Sequence, residues 1–182
     1  HTHTHKDSLR RAEEEEGEED EEDHLEMALV ITEEMRAKAE WYEGDHICQE
    51  KSKELLTEIG LPNGLLPLHD IIEVGYIRET GFVWLKQKKA ITHKFEKIGK
   101  PVIYAPEVTA VVGPGKIKKL TGVKTKELLM WVNLSDIYLN TPPDGKITFQ
   151  TPTGLYRTFP ADAFEAEEPA PAAALRASPI AI

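Results

Sequence analysis

Apolar residues recur along this chain in two different periods. Between Thr32 and Gly60 they come at helical spacing. Met35, Ala39 and Tyr42 share one side, and Cys48, Leu55, Leu56 and Ile59 share another. Thr32 is placed to cap the first helix, with Glu33 and Glu34 in the turn where the helix dipole favours acids. Gly44-Asp45 interrupts the pattern, and Asp45 can cap a second helix, which Gly60 and Pro62 stop. The spacing predicts a helical hairpin or one kinked helix.

Beyond the turn signal Asn63-Gly64 the pattern becomes one of short strands. Ile71 to Arg78 and Phe82 to Gln87 flank Glu79-Thr80-Gly81, which reads as a hairpin with glycine at its turn. Further strands are predicted at Ile91 to Phe95, Val102 to Tyr104, Val108 to Val112 and Gly115 to Thr121. Others follow at Glu127 to Leu134, Ile137 to Leu139, Lys146 to Thr151 and Gly154 to Phe159. Ile147 to Thr151 alternates cleanly, one face in and one out. Leu128 to Val132 is apolar on both faces, which predicts a central position. Many short strands with frequent turn signals define a mainly β fold: an antiparallel β-barrel or sandwich with an N-terminal helix or helical hairpin.

Charge divides the chain more sharply than hydropathy. The 182 residues carry a formal charge of −10. From Lys6 to Glu26 there are 12 acids and 3 bases, a balance of −9; from Met27 to Phe164 there are 17 acids and 18 bases, a balance of +1. The acidity belongs to the leader, and the domain is nearly neutral. Like charges from Glu13 to Glu16 and Glu18 to Asp23 repel and bury nothing, so residues 1–26 read as a disordered acidic leader. Residues 165–182, rich in Ala and Pro, read as a disordered tail. That leaves residues 27–164 as a single domain.

Cys48 is the sole cysteine, so no internal disulfide can form, which suits a reducing compartment. No apolar run approaches the roughly 20 residues that cross a bilayer, and no secretory signal layout is present. The expected location is the cytoplasm, with peripheral membrane association as the alternative.

Several ordered segments together resemble one family. Thr32-Glu33-Glu34-Met35-Arg36-Ala37-Lys38-Ala39-Glu40 leads to Pro62-Asn63-Gly64-Leu65-Leu66-Pro67. Glu73-Val74-Gly75-Tyr76 and Thr80 to Gln87 follow, then Lys116 to Val123 and Thr151 to Pro160. The pattern resembles the plant "domain of unknown function 538" family over roughly Ala28 to Phe164. The resemblance implies a small antiparallel β fold likened to the lipid-binding domain of bactericidal permeability-increasing protein. It also implies links to plant stress and epidermal-hair growth, and a chlorophyll- or ester-hydrolysing activity. No catalytic residues carry over. Members begin near a Met-Gly-Leu-Val-Thr-Glu-Glu stretch, which Met27 to Glu34 matches with one extra residue. Met27 is therefore the expected start of the native chain.

Candidate chemistry is sparse. The Gly-x-Ser-x-Gly elbow of hydrolases is absent. Within the domain the only serines are Ser52 and Ser135, for which His46, His69 or His93 could supply a base and Asp70 or Asp136 could orient it. The plainer reading makes Ser52 a solvated helix residue and Ser135-Asp136 a turn pair. Cys48, on an apolar helix face, reads as a small buried hydrophobe. His46 and Glu50 share a helix face, but no zinc motif surrounds them and a surface ion pair is the simpler use. His1, His3 and His5 alternate in the leader, where weak chelation would be incidental. Gly113-Pro114-Gly115-Lys116 lacks the Walker spacing and reads as a strand-to-strand turn. No cofactor and no metal are expected.

Lysines cluster at Lys86, Lys88, Lys89, Lys94 and Lys97, and again from Lys116 to Lys126. With Trp84, Phe95 or Trp131 to stack, they could touch nucleic acid, but edge lysines that deter aggregation account for them better. No nucleic-acid partner is expected. Anionic lipid headgroups are the other surface these lysines fit. The least ordinary feature is the apolar inventory, many large side chains for short strands. Trp84, Leu128, Met130, Trp131, Val132 and Tyr138 are therefore the candidate ligand-binding residues. The expected function is a non-catalytic module that holds a lipophilic or amphipathic molecule or contacts a membrane surface, linked to stress response or development. The alternative is an ester hydrolase of the chlorophyll type.

Overall fold

The computed structural model describes residues 31–166. The acidic leader, the Met27 start and the tail from residue 167 lie outside the described residues. The chain divides after Lys38 into two units. In the first, helix α1 (Glu33–Lys38) opens with the Met35 amide donating to the Thr32 hydroxyl at 3.2 Å, the cap that the sequence predicts.

The second unit carries everything else. Its first element is a strand, β1 (Glu40–Glu43), where helical spacing predicts continuing helix. Trp41 and Tyr42 favour extended backbone, and the strand satisfies its amides by pairing antiparallel with β2 (Ile71–Ile77). The two predicted helices are thus separated by a strand, not a kink. Helix α2 (Asp45–Glu58) follows. Gly44, not Asp45, occupies its N-cap, and the Asp45 carboxylate accepts from the Ile71 amide at 2.9 Å and from Gln49 at 3.2 Å. Asp45 thereby ties the helix start to β2.

The remaining strands are β3 (Phe82–Gln87), β4 (Ile91–Phe95), β5 (Lys100–Gly113), β6 (Lys116–Glu127), β7 (Met130–Asn133), β8 (Asp136–Leu139), β9 (Lys146–Gln150) and β10 (Tyr156–Pro160). All pairings are antiparallel. The ten strands form one sheet in the order β1-β2-β3-β5-β6-β8-β9-β10, with β4 on β5 and β7 on β6. β1 and β10 end the path without pairing to each other, so the sheet is open. Of the two predicted architectures, the sandwich-like one is observed.

Two predicted strands, Val102–Tyr104 and Val108–Val112, are halves of the single strand β5. Its first half pairs with β4 and its second with β3. Between them the register against β6 slips at Tyr104/Thr109 and again at Thr109/Val111. Such irregularities bend a strand and increase its twist. The bend lets the sheet wrap one apolar cluster drawn from α2, from strands β2 to β6, β8 and β9 and from the segments between them, with Leu56, Leu85, Tyr104, Ile117, Leu134 and Ile147 among its buried members.

Gln87 fastens the bend. Buried itself, it donates to the Tyr104 and Ala105 carbonyls at 3.1 and 3.0 Å and accepts from the His69 amide at 3.1 Å. The Tyr104 hydroxyl donates to the Leu65 carbonyl at 2.8 Å, so the irregular loop after α2 is held by buried polar groups that are themselves satisfied. After β10 a short 3-10 helix (Ala161–Phe164) turns Phe164 into the core.

Candidate functional site

An apolar concavity lies where the start of β5 and the end of β6 meet β9 and β10. Register sets the end of β6 on β5 and β7, with Val102 facing Thr125 and Glu127 facing Met130, and sets β10 on β9, with Gln150 facing Tyr156; the Arg157–Glu127 ion pair links β10 to β6. Phe149, Phe159 and Phe164 form the floor. The Phe164 ring lies 4.9 Å from Phe149 and 5.0 Å from Phe95, and Phe149 meets Phe159 edge-on at 5.9 Å. Val102, Val132 and Leu134 line the walls, and the volume is about 300 Å³. That is the lower end of the range for sites that take small molecules.

At the mouth stands a charged trio. Glu127 accepts from Lys100 at 3.3 Å and from Arg157 at 3.2 Å. Partial burial pushes the Glu127 carboxyl up, but the hydrogen bonds from Arg157 and Lys100 outweigh it, and the net shift is downward. The rim is apolar and in water. Leu128 and Leu129 are each 91% exposed, Met130 69%, Leu155 69% and Tyr156 67%.

The candidate binding residues disperse. Leu128 and Val132 line the cavity. Met130 and Trp131 belong to the same hairpin but project outward, with the Lys126 ammonium 5.9 Å from the Trp131 ring centre. Trp84 is fully buried on β3, donating to Glu73 at 3.2 Å, and its ring covers Gly75 so closely that any Cβ there would overlap it. Tyr138 sits on β8 and donates to Gln150 at 3.2 Å. The central position expected for Leu128 to Val132 is not observed. Leu128 and Leu129 are the turn between β6 and β7, and β7 pairs with β6 alone. Apolar residues stand on both faces there because the segment is a projecting tip, not because both faces are covered.

The reactive side chains stay apart or are engaged elsewhere. Ser52 is buried, where a solvated residue is expected, and donates to the Cys48 carbonyl one helical turn back at 2.7 Å. Cys48 is fully buried, and burial pushes its thiol up, away from thiolate chemistry. The Ser135 hydroxyl donates to Asp136 at 2.9 Å and to the Gln150 carbonyl at 3.3 Å. His93 lies against Phe95 at 4.7 Å, and burial lowers its pKa. His46 pairs with Glu50 at 3.7 Å on the surface. Gly113 and Lys116 face each other across the Pro114-Gly115 turn, a strand-to-strand connection as expected. Among the described residues no group of three His, Cys, Asp or Glu could hold a metal ion. Among them, too, no helix is long and apolar enough to cross a membrane.

Fold and site together define an open antiparallel β domain with one helix across its sheet and an apolar cavity at one end. A family model described as "Protein of unknown function, DUF538" matches residues 52–165, and the chain belongs to that family. The match spans every strand from β2 to β10. Neither a search of curated proteins nor one of solved structures returned a match.

Sequence reasoning misses the cavity floor. Phe149 and Phe159 come from adjacent strands, and Phe164 from beyond the last one, at a separation no local pattern reports. The alternation of Ile147 to Thr151 shows that Phe149 shares its face with Ile147 and Thr151, but not what that face meets.

Proposed function

We propose that this domain binds an amphipathic molecule without covalent chemistry. The apolar portion would lie against Phe149, Phe159 and Phe164, and a polar or anionic head would meet Lys100 and Arg157 at the mouth. The observation that carries this reading is an apolar concavity of about 300 Å³ edged by the trio of Lys100, Glu127 and Arg157. Burial of apolar surface drives such binding, and a few convergent polar groups set the orientation. Engagement of both domain serines in local hydrogen bonds favours binding over ester hydrolysis.

A fluorescent fatty acid titrated into the full chain, in solution free of vesicles, tests the reading. Saturable binding is expected, lost at least about tenfold in Val132→Phe, which fills the cavity with roughly the volume of two methylenes or more. Wild-type protein that takes up no probe, or Val132→Phe that binds as wild type while folded, would remove it.

A further inference from the structure

The β6–β7 turn departs from what a fold requires of its turns. Two-residue hairpin loops with a positive φ at the first position take glycine there. Here that position is Leu128, at φ 54°, followed by Leu129 and then Met130. Leucine at this backbone conformation is strained and gains no burial in return, since both leucines remain nine-tenths exposed. Trp131 follows in the same hairpin, and Leu155 and Tyr156 stand exposed at the cavity mouth that Leu128 lines. Leu128, Leu155 and Tyr156 border one concavity, and Leu129, Met130 and Trp131 belong to the same short hairpin as Leu128, so these residues gather at one end of the domain.

The charge around this tip is lopsided, although the domain as a whole is balanced. The β4–β5 turn lies at the same end, because Phe95 faces Lys100 and Lys100 reaches Glu127. That end carries Lys94, Lys97, Lys100, Lys124, Lys126 and Arg157, against the carboxylates Glu96, Glu127 and Glu165. An exposed apolar tip with a tryptophan, ringed by surplus cations, matches the layers of an anionic bilayer surface. Apolar side chains enter the acyl boundary, the indole sits at headgroup depth, and ammonium groups meet lipid phosphates.

We propose that the β6–β7 tip docks the domain on an anionic lipid bilayer, with the cavity mouth turned toward the membrane. The docking stands on the tip's exposure and charge; only the role of the mouth rests on the cavity reading above. A second copy of this chain is a poorer occupant. It would bring the same surplus of cations, and a projecting two-residue turn offers little of the roughly 1,200 Å² that a stable pair buries.

Co-sedimentation and tryptophan emission of the full chain with phosphatidylcholine–phosphatidylserine vesicles, and with phosphatidylcholine alone, test the proposal. Binding is expected to the anionic vesicles with a blue shift that Trp131→Phe removes, and raised salt should weaken it. The double variant Leu128→Gly/Leu129→Asn suits the turn better and should fold as well as wild type, yet partition at least about tenfold less. Lys124→Gln/Lys126→Gln should lower binding to anionic vesicles alone. Wild-type protein that ignores both vesicle types overturns the docking, as does a double variant that binds unchanged or a tip whose replacement only dissolves a dimer. Fatty-acid uptake without vesicles separates the two readings: the single variant Leu129→Asn, outside the cavity lining, upholds both when it keeps uptake but loses vesicles. Vesicle binding without any uptake removes the cavity reading and leaves the docking in place.

Discussion

Strand β6 is bounded by two tight turns that obey opposite rules. At its start, Pro114-Gly115 supplies what a hairpin wants: proline with its fixed φ, then glycine at φ 67°. The Gly115 amide donates to the Ile59 carbonyl at 2.6 Å, so this turn is also fastened to the end of α2. Immediately inside it, Ile117 is buried against the core. At the far end, Leu128-Leu129 supplies the wrong residues for the same task and leaves them in water. One turn is explained by folding alone. The other is not explained by folding, because a leucine at positive φ is strained and, left in water, gains no burial to offset the strain.

The sharpest way to break this contrast is to truncate both ends of the strand. Ile117→Ala should cost about 3 kcal/mol, through lost transfer free energy and the cavity left behind. Leu129→Ala should change stability by no more than about 0.5 kcal/mol. Equilibrium denaturation of the two variants measures the difference, and equal losses would mean that the tip is packed. A smaller effect with opposite signs comes next. Gly115→Ala places a side chain at positive φ and should destabilise by about 1 kcal/mol. Leu128→Gly relieves the same conformation and should gain about 0.5 kcal/mol net, after the entropy of a freer unfolded chain.

The smallest effect concerns protons. The Glu127 carboxyl is held below its ordinary value in the folded chain, where Arg157 and Lys100 outweigh burial. Its contribution is therefore complete above the ordinary glutamate range and is lost as pH falls through the lowered value. With Arg157 largely in solvent, the loss should be about 0.5 kcal/mol. Denaturation midpoints followed downward in pH should show this component in the wild type and lack it in Glu127→Gln.

Most of the sheet is legible in the sequence because its signals are local. Alternation marks Ile147 to Thr151, glycine marks the hairpin at Gly81, and Thr32 marks the start of α1. The misreadings arise where a local signal is overridden or missing. Tyr42 fits a helical period with Met35 and Ala39, yet β2 offers its backbone a partner. Val102–Tyr104 and Val108–Val112 look like separate strands because the bend in β5 interrupts the alternation. Leu128-Leu129 carries no turn chemistry, so an apolar run through a hairpin tip looks the same as one through a buried strand. The cavity is the least legible feature. Its floor depends on Phe149, Phe159 and Phe164 converging from different elements, and its charged mouth on an ion pair between Glu127 of β6 and Arg157 of β10, strands that do not pair with each other.

Phe164 has one more consequence, concerning the order of assembly during synthesis. Its ring completes the aromatic floor, and just beyond it the Ala166 amide reaches back to the Asn63 side chain, 103 positions earlier in the chain. A ribosome must therefore release almost the whole domain before the interior can close. Until then the nascent β4, β5 and β9 would hold greasy faces open to water, a long interval in which chaperones would find something to grip.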